Sequence, residues 1–151
     1  MISDERSVLI SIRPRFADAI MKAEKTVELR RTRINVPAGT CFLVYSTSPV
    51  MVVIGSVVLR RVESDTPNRL WAKVRHLAEV TKTEYHEYFN GSAEAFAFHL
   101  SDPDVWETPV PLSQLREIAG IEPGQSFRYL DGTQIDLITP SRVAVGSAAS
   151  C

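Results

Sequence analysis

Apolar and polar positions divide the chain into short segments with two different periods. Val8-Leu9-Ile10-Ser11-Ile12 is rich in β-branched residues and predicts a short buried strand. Pro14 follows where a helix can begin. Phe16, Ala19, Ile20 and Ala23 then recur at helical spacing, which predicts a short helix over 14–23. In Thr26-Val27-Glu28-Leu29-Arg30 the period changes to two. Val27 and Leu29 take one side and Thr26, Glu28 and Arg30 the other, as in a half-buried strand with a polar face. A turn at Val36-Pro37-Ala38-Gly39 leads into a strand over 40–46. Thr47-Ser48-Pro49 breaks that strand, and a long β-branched run over 50–62 returns from it as a hairpin. Gly55 interrupts the run and marks a bulge or a close backbone approach.

The helical period returns after Asp65-Thr66-Pro67. Asp65 or Thr66 can cap a helix with Pro67 at its first position, and Leu70, Trp71, Val74 and Leu77 form its apolar face. Thr81 and Glu84 have capping-box spacing and start a second helix, with Tyr85, Tyr88 and Phe89 facing inward and Asn90-Gly91 ending it. A strand over 93–100 with alternating Phe96 and Phe98 and a separate strand over 105–110 come next. One or two helical turns over 112–118 follow, then an irregular stretch over 120–130 with a Pro123-Gly124 turn. Gln134-Ile135-Asp136-Leu137-Ile138 reads as a short terminal strand, and 141–151 as a fraying tail. Five to six short strands, two central helices and a short N-terminal helix predict an α+β fold built on a small β-barrel.

The 151 residues are the size of one domain, with 44% hydrophobic and 23% charged residues. Cys41 and Cys151 do not look like a disulfide framework and read as two lone thiols in a reducing compartment. No apolar run approaches the roughly 20 residues of a membrane helix. The first residues lack the basic and apolar regions of a signal peptide. The expectation is a cytoplasmic protein without membrane contact.

A net charge of −1 conceals an asymmetry. Residues 1–75 carry 13 Lys and Arg against 7 Asp and Glu, whereas residues 76–151 carry 4 against 11. A basic half supplies an electrostatic footprint for phosphates, and the same asymmetry serves attraction between halves within one fold. The cations concentrate between Ser11 and Arg33, as Arg13, Arg15, Lys22, Lys25, Arg30, Arg31 and Arg33. Arg offers a planar fork of donors to phosphate and Lys a mobile point charge. Glu28 among them can accept from an exocyclic amine of a base. The same pattern also fits a solvated strand whose Glu28 pairs with Lys25 or Arg30.

Tyr45-Ser46-Thr47-Ser48 places an aromatic and hydroxyls at a strand end, which suits base stacking and a phosphate, or an ordinary hairpin turn. His76, His86 and His99 lack metal-ligand spacing, and no glycine-rich phosphate loop or nucleophile elbow occurs. No cofactor and no metal are expected. Trp71, Trp106, Phe96 and Phe98 read as core.

These residues carry a family resemblance. Leu9-Ile10-Ser11-Ile12-Arg13-Pro14-Arg15-Phe16 followed by Ala23-Glu24-Lys25-Thr26-Val27-Glu28-Leu29-Arg30 resembles the start of the ASCH domain. Lys25, Glu28 and Arg30 fall on that family's G-x-K-x-x-E-x-R pattern, with Ala23 in place of the glycine. The 43–49 stretch, Ile54-Gly55-Ser56-Val57, the Tyr88–Gly91 helix end and the 96–100 strand also resemble it. The likeness spans 8–130, leaving 1–7 as a tail and 131–151 as a partly flexible extension.

The resemblance implies a PUA-like β-barrel that binds RNA or a nucleotide in a basic cleft, in a regulatory role. The cleft residues it implies are Arg13, Lys25, Glu28, Arg30, Arg31, Tyr45, Ser46 and Ser48. Some similar proteins resemble amidohydrolases of N4-acetylcytidine built on a Lys, a Thr and a Glu. Lys25 matches the Lys, but Glu28 stands where the Thr nucleophile would be, Thr26 lies two residues earlier, and Glu79 is a loose match for the acid. That leaves hydrolysis of a modified nucleoside or of RNA as an alternative. Glu28 would then act as general base beside Lys25, or hold a divalent ion with a second carboxylate. A protein partner on the acidic half or on the helices over 65–90 is the third class.

Overall fold

A computed structural model describes residues 6–139 and residue 151. The elements run β1 (Ser7–Ile12), α1 (Pro14–Met21), β2 (Val27–Arg30), β3 (Cys41–Ser46), β4 (Val52–Asp65), α2 (Pro67–Val74), α3 (Lys82–Tyr88), β5 (Ala95–Pro111), α4 (Leu112–Ala119), β6 (Phe127–Leu130) and α5 (Gly132–Ile138). The strands form one sheet in the order β2-β5-β4-β3-β1-β6, in which only β1 and β3 are parallel neighbours. The sheet curls into a half-barrel, so the α+β, PUA-like architecture expected above is the one found.

β1 reads as an unbroken apolar run because both of its faces are covered. Val8, Ile10 and Ile12 pack with Phe42, Val44 and Phe98 inside the curl. Leu9 turns outward onto Leu43, Tyr45, Trp106 and Leu115 beneath α4 and α5. A third core seats α2 and α3 against β2 and β5, through Leu70, Val74 and Tyr85 on Val27, Leu29 and Ala97. Thr66 caps α2 by accepting from the Arg69 N–H, and Thr81 with Glu84 forms the full capping box of α3. Among the described residues no helix is long and apolar enough to cross a membrane.

Four local expectations are corrected by the structure. The two strands expected over 93–100 and 105–110 are one strand, β5. It follows β4 from Ala95 opposite Asp65 to Pro111 opposite Val52, and register shifts absorb the polar Ser101–Asp104 stretch. The 120–130 stretch, read as irregular, contains β6, which is held by antiparallel pairing to β1. The terminal strand expected at 134–138 is instead α5, begun by a capping box between Asp131 and Gln134. Its Ile138 is buried in the second core.

The fourth correction concerns the thiols. Cys41 and Cys151 are joined in a disulfide, with Cα atoms 5.4 Å apart across 110 positions of sequence. Such a long separation leaves no local signal of pairing. The rest of the expected fraying tail, 141–150, lies outside the described residues. A thiol assay on unfolded, unreduced protein is expected to find no free cysteine, and both only after reduction. Two reactive thiols before reduction would contradict the bond.

Gly55 meets both expectations for it. The β3–β4 and β4–β5 registers shift beside it. A Cβ there would collide with the Asp104 carbonyl oxygen and would lie 2.8 Å from Met21 Sδ at the end of α1.

Candidate functional site

β2 and β6 are the two edges of the sheet, and Arg30 brings them together. Its Nη1 donates to Ser126 Oγ at 2.9 Å, next to β6, and its Nη2 donates to the Ser11 carbonyl on β1 at 2.9 Å. Nε and Nη2 also donate to Glu28 Oε2, at 3.1 and 2.8 Å. Arg30 thus spends its whole fork fastening the open side of the half-barrel. Ser11 reinforces the closure, its N–H donating to the Ser126 carbonyl and its hydroxyl to the Gly124 carbonyl.

Glu28 keeps its second oxygen for Lys25. Oε1 lies 3.6 Å from Lys25 Nζ, which donates to the Ala78 carbonyl at 2.6 Å and sits 4.7 Å from the Phe16 ring centre. The turn that delivers Lys25 passes through Ala23 at φ 62°, the left-handed conformation suited to the glycine of the family pattern. Lys25 is 2% exposed. Burial lowers its pKa below the usual lysine value, against the opposing pull of Glu28.

Above this buried charge cluster opens a cleft of about 710 Å³, in the size range of small-molecule sites. The end of β1 and the start of α1 form one wall and α3 the facing one. Thr47 and Gln125 also line the cleft. Arg13 is exposed on the rim, and its side chain has no hydrogen bond or ion pair with the other described residues. Arg31 lies 4.8 Å from the ring centre of Tyr88. Arg15 and Glu84 form a bidentate pair from α1 to α3, at 2.8 and 2.9 Å. The Arg15 guanidinium and the Thr81 N–H hold the Glu84 carboxyl down at about 2, so it is ionised across the physiological range.

Of the residues implied by sequence, Arg13, Lys25, Glu28, Arg30 and Arg31 line this one cleft. The polar face of β2 is not solvated, however. Glu28 and Arg30 are 7% and 9% exposed, because Lys25, Ser126 and Ser11 surround them. Thr26, expected on the same face, is not part of the lining. Tyr45 lies in the second core with Leu9, Leu43 and Trp106, which removes its ring from the stacking role expected of it. Ser46 is buried and its hydroxyl has no partner among the described residues. Ser48 is exposed on the hairpin turn outside the cleft, and its neighbour Thr47 is the hydroxyl that lines it.

Sequence reasoning missed Tyr88, Phe16 and Ser126. Tyr85 and Phe89 are buried as expected, but Tyr88 is 38% exposed and turns to the cleft. Spacing alone does not set Tyr88 apart, because it stands i,i+3 from Tyr85 at the flank of the same helix face. Ser126 had no signal, since only the curl of the sheet brings it to Arg30. Among the described residues no three His, Cys, Asp or Glu side chains gather to hold a metal ion.

A curled PUA-like half-barrel with a basic, charge-floored cleft across its seam defines the class. Residues 10–104 match the model of the ASCH domain, and the chain belongs to that family. It is 39% identical over 131 residues to an ASCH domain-containing ribonuclease of Zymomonas mobilis, covering 85% of this chain and 87% of that protein. The crystal structure of ASCH from Zymomonas mobilis superposes with a TM-score of 0.83 at 34% identity, over 87% of this chain and 92% of that one. Human THYN1, solved in complex with 5-methylcytosine containing DNA, shares the fold alone, with a TM-score of 0.54 at 12% identity over 89% and 95% of the two chains.

Proposed function

We propose that this ASCH domain protein binds RNA in the cleft. Arg13 and Arg31 hold phosphates, and Glu28 Oε1 accepts from the edge of one base. The observation that carries the reading is the placement of two exposed arginines in one cleft with Glu28, whose Oε1 is left by Arg30 and has only Lys25 beside it, at 3.6 Å. Tyr88 offers a half-exposed ring for stacking, a contact that any base can use. The ribonuclease name of the Zymomonas mobilis relative favours RNA as the ligand.

Lys25 and Arg30 are too deeply buried to test this by deletion, since removing either disturbs the fold as well as the ligand. Arg13 and Arg31 are exposed and suit the purpose. Exchanging both for alanine is expected to weaken binding of a short single-stranded RNA roughly tenfold. The salt slope is expected to fall by about 1.4, at ~0.7 per lost phosphate contact. Fluorescence anisotropy at several salt concentrations measures both. Unchanged affinity, or binding indifferent to salt in the unaltered protein, would overturn the reading.

A second reading, RNA hydrolysis, rests on the same relative and on Lys25. A buried amine with a lowered pKa, 3.6 Å from a carboxylate, suits proton transfer at the cleft floor. Denaturing gels of the binding samples separate the two, because shortened RNA marks cleavage and intact RNA marks binding alone. Amide hydrolysis by a threonine nucleophile on β2 has no support, since Thr26 does not line the cleft and Glu28 stands at the position such a threonine would take.

A further inference from the structure

Arg15 is a cleft arginine paired with a carboxylate that is itself open to solvent. Its side chain is 60% exposed and that of Glu84 38%, whereas the Arg30–Glu28 pair below them is 11% and 9% exposed. Opening the lower pair would strand a buried charge, but the upper pair is open to solvent, so both groups can be rehydrated when they part. The bidentate geometry in which Arg15 grips the Glu84 carboxylate is also the geometry in which arginine grips a phosphate. Both side chains line the cleft.

The two groups remain supported after they part. The Arg15 guanidinium lies 4.4 Å from the centre of the Phe16 ring, which keeps it over the cleft without Glu84. Glu84 Oε1 still accepts from the Thr81 N–H at 2.9 Å, so its carboxylate keeps the helix cap.

We propose that Glu84 occupies the place of an RNA phosphate on Arg15, making Arg15 a third phosphate-binding arginine that the ligand must win from Glu84. The proposal rests on the reading of the cleft as an RNA site and narrows it. The ligand carries phosphate beside the base, as a nucleotide unit of RNA does and a free nucleoside does not. Glu84 sets a threshold, so that a weakly charged ligand leaves the pair closed and a polyanionic backbone opens it.

Glu84→Gln separates the charge of Glu84 from its capping role, since glutamine at the same helix position also accepts from the Thr81 N–H. The measurement is anisotropy of a labelled single-stranded RNA of roughly ten nucleotides, within the usual range of single-strand site sizes. It compares the unaltered protein, E84Q, R15A and R15A/E84Q across a salt series, with thermal melts confirming that each variant folds. E84Q is expected to bind roughly threefold tighter or better, with a salt slope steeper by about 0.7. R15A/E84Q is expected to bind no tighter than R15A, because the gain passes through Arg15.

E84Q binding no tighter than the unaltered protein overturns the proposal and leaves the RNA reading standing. A gain that survives in R15A/E84Q also overturns it, since it would report only the loss of a negative charge. Absence of RNA binding by both the unaltered protein and E84Q overturns the proposal and the cleft reading together.

Discussion

Replacing Glu28 with alanine is expected to destabilise the protein by about 3–5 kcal/mol, the cost of breaking a buried ion pair from one side. Glu28 is the only anion in contact with two buried cations among the described residues, Lys25 at 3.6 Å and Arg30 at 2.8 Å. Without it the two cations respond differently. Lys25 can release its proton, since burial already lowers its pKa. The Arg30 guanidinium would be left with only the Ser126 and Ser11 oxygens for company. Urea unfolding at neutral pH measures the loss, and a cost under about 1 kcal/mol would mean that water reaches the cluster.

The pH dependence has a definite sign. Lys25 binds its proton less tightly when folded than when unfolded, where its value is near 10.5. Its charged form therefore works against folding below the lowered pKa. Stability rises as pH climbs from that pKa towards 10.5, where the unfolded chain holds more protons than the folded one. Glu28 opposes the lowering, so in Glu28→Ala this rise is expected to begin at a lower pH than in the unaltered protein. Arg30 also ties the two sheet edges together, and its partner's loss should loosen the cleft as well as the fold.

Gly55→Ala is the second large effect, at about 3 kcal/mol, the upper part of the range for overpacking. Gly55 does not have a positive φ, so the cost is steric rather than conformational. The methyl group would strike the Asp104 carbonyl oxygen, a backbone atom of β5 that cannot swing aside, and would crowd Met21 Sδ, which can. β4 and β5 would have to separate where their register already shifts. Thermal melting is expected to fall by roughly 5–10 °C. Gly39→Ala offers the contrast. It has φ 94° and open space around it, so its cost is conformational strain of about 1 kcal/mol. Equal losses at the two sites would contradict the close approach at Gly55. Because Met21 ends α1, the same contact seats the helix that presents Arg15 and Phe16 to the cleft.

Much of the fold was legible along the chain because short-range rules govern it. Caps at Thr66 and Thr81, proline at the first position of α1 and α2, and the period-two alternation of Val27 and Leu29 depend only on near neighbours. The α5 cap was equally local, but Ile135 and Leu137 in a β-branched setting favoured a strand over the Asp131–Gln134 signal. The division of β5 followed from Ser101-Asp102-Pro103-Asp104, a sequence that turns in isolation; Asp102 does turn, at φ 52°, but β4 pairs with Ser101 and Asp104 on either side and the turn is absorbed as a bulge within one strand.

The chain by itself determined which residues carry the charge of the cleft. Glu28 and Arg30 were readable from alternation, and Lys25 with them from the ASCH pattern, with Ala23 at the turn before them. Only the tertiary structure decided what that charge does. The curl of the sheet places Ser11 and Ser126 around Arg30 and buries Glu28 between two cations. A face that alternation marks as solvated thereby becomes the largely buried floor of the cleft, while Arg13, Arg15 and Arg31 remain at the surface. Tyr45 shows the same division from the other side, since the strand that carries it was legible but the core that covers it was not. Periodicity reports which side chains share a face. Whether that face meets water or protein is set by contacts between segments far apart in the chain, and those contacts exist only once the sheet has closed on itself.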